Sequence, residues 1–206
     1  MDTGATAWMI TATALVMLMT PGLAFFYGGL VRAKNVVSTI MYSFIAVAVV
    51  SIVWVLWGYS LAFGDGGPFI GDLKYIGLRG IGINDTMDNT IPTLLFVSFQ
   101  MMFAVITPAL ITGAFVERFR FTTYLIFLVI WVTLVYCPIA HWVWAENGWL
   151  YGDALDFAGG TVVHINAGIA AVAAALIVGK RRNPGVEPHN VPYVVLGTAL
   201  LWFGWF

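Results

Sequence analysis

Residues 159–179 read GGTVVHINAGIAAVAAALIVG. The stretch holds no Asp, Glu, Lys or Arg, and its apolar residues run on without alternating with polar ones. About 20 such residues at about 1.5 Å each cover the hydrocarbon core of a bilayer. A barrel strand would instead show about ten residues of strict alternation. The stretch therefore predicts a membrane-crossing helix, in which every backbone polar group bonds within its own segment.

Four more blocks share this character, at residues 8–31, 36–63, 91–116 and 122–144, giving five expected complete spans. A sixth begins at Pro192 and is still apolar at Phe206; its 15 residues are short of a span, so the sequence is expected to end inside a helix of a longer protein. The N-terminus, MDTGATAWMI, has no basic region of the kind that opens a secretory signal, so residues 8–31 read as a retained span. No internal repeat is visible. The Gly-rich segment GDGGPFIGDLKYIGLRGIGIND (64–85) reads as an ordered excursion within one membrane domain, residues 1–206. The fold class is all-α, a polytopic membrane helical bundle.

Composition agrees: 61% of the 206 residues are hydrophobic and 9% charged. A net charge of −1 without basic clusters among aromatics excludes a nucleic-acid footprint. Cys137, the single cysteine, lies within an apolar run and reads as a small core hydrophobe. Seven of the nine Lys and Arg residues fall in the odd loops: Arg32 and Lys34, Arg118 and Arg120, and Lys180, Arg181 and Arg182. Asp65, Asp72, Asp85 and Asp88 share the second loop with Lys74 and Arg79, and the fourth loop holds Glu146, Asp153 and Asp156. The positive-inside rule places the odd loops in the cytoplasm and the N-terminus outside. Trp142, Trp144 and Trp149 then stand at the outer boundary.

The informative residues are the polar ones. His164 sits about five residues into the fifth span, a depth at which an ionisable side chain usually faces a bundle interior or cavity. The plainer alternative is a packing histidine bonded to a neighbouring helix. Small residues surround it (Gly159, Gly160, Ala167, Gly168, Ala170, Ala171 and 173–175), which predicts close helix packing. Asp156 stands where it would cap the start of that helix, and could also place a negative charge at the outer mouth. The two lie roughly 12 Å apart along the axis, so they are stacked stations and form no dyad. Trp144, with Phe99 and Phe103 at i and i+4, offers aromatic faces for a cation, although such stripes more often serve packing. Ser98 and Gln100 lie nearby as hydrogen-bonding groups. Pro21, Gly22 and Pro108 are explained by kinks or helix packing. The three histidines occupy separate segments, and nucleophile and phosphate-loop motifs are absent, so neither an enzyme nor a cofactor or metal is expected.

Taken in order, PGLAFFYGGLVRAKN (21–35), FQMMFAVITPALITGAFVERFRF (99–121), PIAHWVW (138–144), DFAGGTVVHI (156–165) and GTALLWFGWF (197–206) resemble the ammonium transporter (Amt/Mep) family across the whole chain. The resemblance implies the first half of an eleven-span, inverted-repeat fold that assembles as a homotrimer. It implies transport of ammonium or ammonia across the cell membrane. Trp144 would be the tryptophan of an outer recruitment site, with Phe99 beside it and Asp156 as its supporting acid. Phe103 would be one of two stacked gate phenylalanines and His164 the first of two pore histidines. The second gate phenylalanine, a small hydroxyl residue and the second histidine would lie beyond Phe206. A cytoplasmic PII-type regulator is a further implied partner. The alternatives are an ammonium sensor on the same fold and a Rhesus-type neutral gas channel, which Trp144 disfavours.

Overall fold

The apolar blocks fold as helices, and the polar breaks between them as turns and caps. The computed structural model describes residues 1–181 and 187–206, so Arg182 lies outside the described residues. Five helices are long and apolar enough to cross a membrane: α1 (Thr3–Leu30), α2 (Ala33–Phe63), α3 (Thr93–Phe115), α4 (Phe121–Trp144) and α5 (Gly160–Val178). A shorter apolar helix, α6 (Val191–Gly204), follows. α1 starts earlier than the hydropathy suggests because Asp2 caps it, its carboxylate accepting from the Ala5 N–H at 2.9 Å. α3 starts slightly later than expected, because Ile91–Pro92 (β2) pairs antiparallel with Thr86–Met87 (β1).

Three helices widen into a π turn: α2 at Trp54–Gly58, α4 at Val132–Tyr136 and α5 at Gly160–Ile165. The first two lie side by side, with Trp57 Nε1 donating to Thr133 Oγ1 at 2.9 Å and the Trp54 and Tyr136 rings 6.3 Å apart. Trp54 is fully buried and donates to the Val97 carbonyl at 3.1 Å, satisfying the polar end of a large core residue. Cys137 is also fully buried, within α4. Pro21 and Pro108 are accommodated inside continuous helices.

α1 is central: it packs most extensively on α6, then on α2 and α3, while α5 lies against α3. The α1–α6 seam is closed by glycine. A Cβ on Gly29 would stand 2.6 Å from the Asn190 carbonyl oxygen, and one on Gly204 would stand 2.7 Å from that of Leu15. One on Gly197 would collide with the Phe26 backbone nitrogen and the Gly22 carbonyl. The pairs Gly22/Gly29 and Gly197/Gly204 each repeat every seven residues, so one face of each antiparallel helix stays bare along its length.

The bundle has an acidic and a basic end. At the acidic end, residues 64–92 fold back on the helices. Both ring nitrogens of buried His141 lie against carbonyl oxygens, Nδ1 2.9 Å from Ala62 and Nε2 2.8 Å from Gly67. Trp142 Nε1 donates to the Phe69 carbonyl at 2.6 Å, and the Trp149 N–H donates to that of Pro68 at 3.1 Å. At the basic end, Glu117, with a side chain 6% exposed, gathers three loops. It accepts from Asn35 Nδ2 at 2.7 Å, the Arg32 N–H at 3.2 Å and Arg181 Nη1 at 2.9 Å. Burial pushes the Glu117 carboxyl up, but the Asn35 and Arg32 hydrogen bonds and the Arg32 and Arg181 charges outweigh it and hold it below the ordinary carboxylate value. Arg118 reaches back to the carbonyls of Ala114 and Gly179.

Candidate functional site

The site begins with Asp156. Its Oδ1 accepts from the N–H groups of Gly159 (2.6 Å) and Gly160 (2.8 Å), and its Oδ2 from those of Thr161 (2.8 Å) and Val162 (2.9 Å). One carboxylate therefore satisfies four donors at the start of α5, the group of N–H groups that a helix N-terminus leaves without partners. The turn requires glycine at 159: its φ is +87°, and a Cβ would stand 2.7 Å from a Val163 methyl. The Asp156 carbonyl accepts from Trp144 Nε1 at 2.9 Å, so the residue that caps α5 also fixes the indole at the end of α4.

Trp144 packs edge-on against Phe103 with ring centroids 5.8 Å apart, and Phe103 against Phe99 at 5.0 Å. The three rings form a continuous aromatic train, each presenting an edge to the next face. Phe99, Phe103 and His164 line one cavity of about 280 Å³ between α1, α3, α5 and α6, together with Trp8, Phe157 and Phe206. Trp144 and Asp156 do not line it; they reach it through Phe103 and through the α5 cap.

The π turn aims His164. Its backbone N–H reaches back five residues to the Gly159 carbonyl at 2.9 Å, and its side chain is exposed on the cavity side. Among the described residues the His164 ring has no hydrogen bond and borders the cavity. His141 is fully buried and bonded at both nitrogens. Ser98 donates to its own helix at the Leu94 carbonyl (2.8 Å), so its hydroxyl is occupied. Gln100 is 9% exposed, and its Oε1 has no partner among the described residues.

The small residues of α5 divide between two faces of the helix. Ala167 is buried and Ala170, Ala171 and Ala174 pack on the core, but Gly168, Ala173 and Ala175 are exposed on the face that carries His164 or beside it. A Cβ on Gly168 would meet nothing within 4 Å. The helix period puts the two sets on opposite sides, and the first of them packs on α3.

The sequence reading did not single out Phe157 or Trp8, which line the cavity. Phe157 follows the cap residue directly and is 93% exposed, so an aromatic beside Asp156 in the polar break was the available signal. Trp8 carried no signal beyond its place in a span.

The model of the Ammonium Transporter Family matches residues 7–206. The chain belongs to the ammonium transporter family. An ammonium transporter of Bacillus subtilis (strain 168) is 54% identical over 209 residues, covering all of this chain and 52% of the relative. One of Aquifex aeolicus (strain VF5) is 53% identical over 215 residues, covering all of this chain and 49% of the relative. The crystal structure of Candida albicans Mep2 superposes with a TM-score of 0.91 at 42% identity, over all of this chain and 47% of that one. A solved Sensor Amt Protein superposes at 0.88 with 32% identity, over 98% of this chain and 52% of that one. The chain spans about half the length of the curated relatives it matches, and its helical bundle corresponds to the N-terminal half of the family fold.

Proposed function

We propose that the protein moves ammonium across the cell membrane, recruiting the cation at Trp144 and Phe99 and passing it by Phe103 to His164. The observation that carries this reading is the aromatic train from Trp144 through Phe103 to Phe99, which opens on the cavity lined by His164. Aromatic faces attract a cation that has shed part of its water. Ammonium and potassium are close in size, so size alone separates them poorly; a neutral imidazole separates them because it accepts an N–H hydrogen bond, and a proton, that potassium cannot offer. The apolar walls make carrying an intact charge costly, which favours transfer as ammonia with its proton handled by the histidine. Asp156 supports the recruitment site through its hold on Trp144 and the N-terminus of α5.

The charge asymmetry supports a topology with the acidic end outside, and so with the N-terminus outside. The family resemblance carries the homotrimer, and a PII-type regulator at the basic end, as further parts of the same reading. The test is current across a solid-supported membrane from proteoliposomes of the full-length protein, stepped with ammonium and then potassium. Current with ammonium alone is expected. Ammonium binding without current would replace this reading with a sensor, the description of the solved Sensor Amt Protein, or with an electroneutral ammonia channel of the Rhesus type.

A further inference from the structure

A second and larger chamber, about 830 Å³, lies at the acidic end between the 64–92 segment and the end of α4. It shares one wall, Trp144, with the aromatic train. The other walls are aromatic and mutually packed: Tyr59 stacks on Phe63 (5.5 Å), Phe63 meets Phe96 edge-on (5.2 Å), and Tyr75 leans on Tyr59 (6.0 Å). Tyr59 is only 4% exposed, lines the chamber, and has a hydroxyl with no hydrogen bond to any described residue. The ring is buried but the hydroxyl is not sealed off, so it presents a donor and an acceptor to whatever fills the chamber.

The charge of the chamber is one-sided. Asp65, Asp85 and Glu146 line it without a Lys or Arg among the lining residues. Lys74 neutralises Asp65 at 2.5 Å, while Asp85 and Glu146 have no cationic partner among the described residues. Among the described residues no group of three or more Asp, Glu, His or Cys side chains converges to hold a metal ion, so a hard divalent cation lacks its cage of oxygens. Aromatic faces, one phenol oxygen and two separated carboxylates suit a soft monovalent cation with N–H or N-methyl groups.

We propose that this chamber is a second cation site, ahead of Trp144 on the entry path, that takes ammonium and small methylated ammonium ions. The proposal rests on the transport reading for its direction of entry and for ammonium as the cargo. A cation held here waits against the far side of the Trp144 indole, so the site sets how much ammonium is needed to load the pore and leaves the maximal rate unchanged.

The test uses the full-length protein in proteoliposomes, with tetramethylammonium as a cation that fits the chamber and donates no N–H. In the double variant Asp85→Asn/Glu146→Gln the half-saturating ammonium concentration is expected to rise about tenfold, and in Tyr59→Phe about threefold, with maximal current unchanged. Tetramethylammonium is expected to compete with ammonium in the wild type and to weaken by about tenfold in the double variant. Tyr59→Phe indistinguishable from wild type, with the effect of the double variant vanishing at about 0.5 M salt, would mean diffuse surface charge and would overturn the proposal. A wild-type protein that gives no ammonium current would sink the transport reading alone. Calorimetric binding of tetramethylammonium to the purified protein, lost in the double variant, would then still uphold the chamber, and no binding to the wild type would end it.

Discussion

α1 and α6 meet backbone to backbone, whereas α5, just as rich in small residues, packs one face on α3 within this N-terminal half of the family fold and carries His164 on another. At the first seam the glycines repeat every seven residues and each faces an atom that cannot move: the Asn190 carbonyl opposite Gly29, the Leu15 carbonyl opposite Gly204, the Gly22 carbonyl opposite Gly197. On α5, Gly168 faces nothing within 4 Å. The difference teaches that small residues permit contact without specifying it. On α1 and α6 small size sets the distance between helices; on α5 it keeps the face beside His164 low enough for another helix to approach closely.

The largest effect is expected where the seam is tightest. Gly197→Ala drives a methyl into the backbone of α1 and should cost about 3 kcal/mol, read as a fall in the thermal unfolding midpoint of the detergent-purified full-length protein. An unshifted midpoint would show that the seam yields. At the cavity His164→Ala should behave in the opposite way. It should leave that midpoint within about 1 kcal/mol while cutting selective ammonium flux about a hundredfold, equivalent to about 2.7 kcal/mol of barrier. Flux with unchanged rate and selectivity would remove His164 from the pore.

Asp156→Ala strips the acceptor from four N–H groups and loosens the loop that holds Trp144, with an expected loss of about 2 kcal/mol and a shift in tryptophan emission. Asp156→Asn should recover part of the stability, since an amide oxygen still caps. At the basic end Glu117→Gln should cost about 1.5 kcal/mol near neutral pH. Because the folded pKa of Glu117 is depressed, its contribution is complete above the ordinary carboxylate range and is lost as pH falls through the folded pKa. Midpoints of wild type and variant should therefore converge on acidification; a gap that stays constant would assign the loss to something other than the charge. The smallest effect is expected at Gly28, beside Gly29. A Cβ there meets side chains alone, Ile40 at 3.1 Å and Val36 at 3.9 Å, and no backbone atom, so Gly28→Ala should change stability by less than about 1 kcal/mol.

The five spans were legible because a bilayer selects for one simple property, an uncharged apolar run of fixed length. Asp156 was legible as a cap because capping is local, and Phe99 with Phe103 as a facing pair because i and i+4 share a helix face. What stayed hidden joins distant segments. His141 ties the end of α4 to carbonyls 79 and 74 residues earlier, and Glu117 draws in Asn35 and Arg181 from two other loops. Nothing in the neighbouring sequence of either residue names those partners. Arg181 and Arg118, which the sequence shows only as loop charges, are engaged by Glu117 and by backbone carbonyls respectively.

By itself the sequence determined that the chain crosses a membrane, how many times it does so in these residues, and which family it resembles. Length, hydropathy and contiguous motifs are properties read along one dimension. Only the tertiary structure decided that His141 is clamped between two carbonyls while His164 borders a cavity, and which glycines close the α1–α6 seam. It alone placed Tyr59, Asp85 and Glu146 around one chamber sharing Trp144, because each of those facts depends on the distance between segments far apart in the chain.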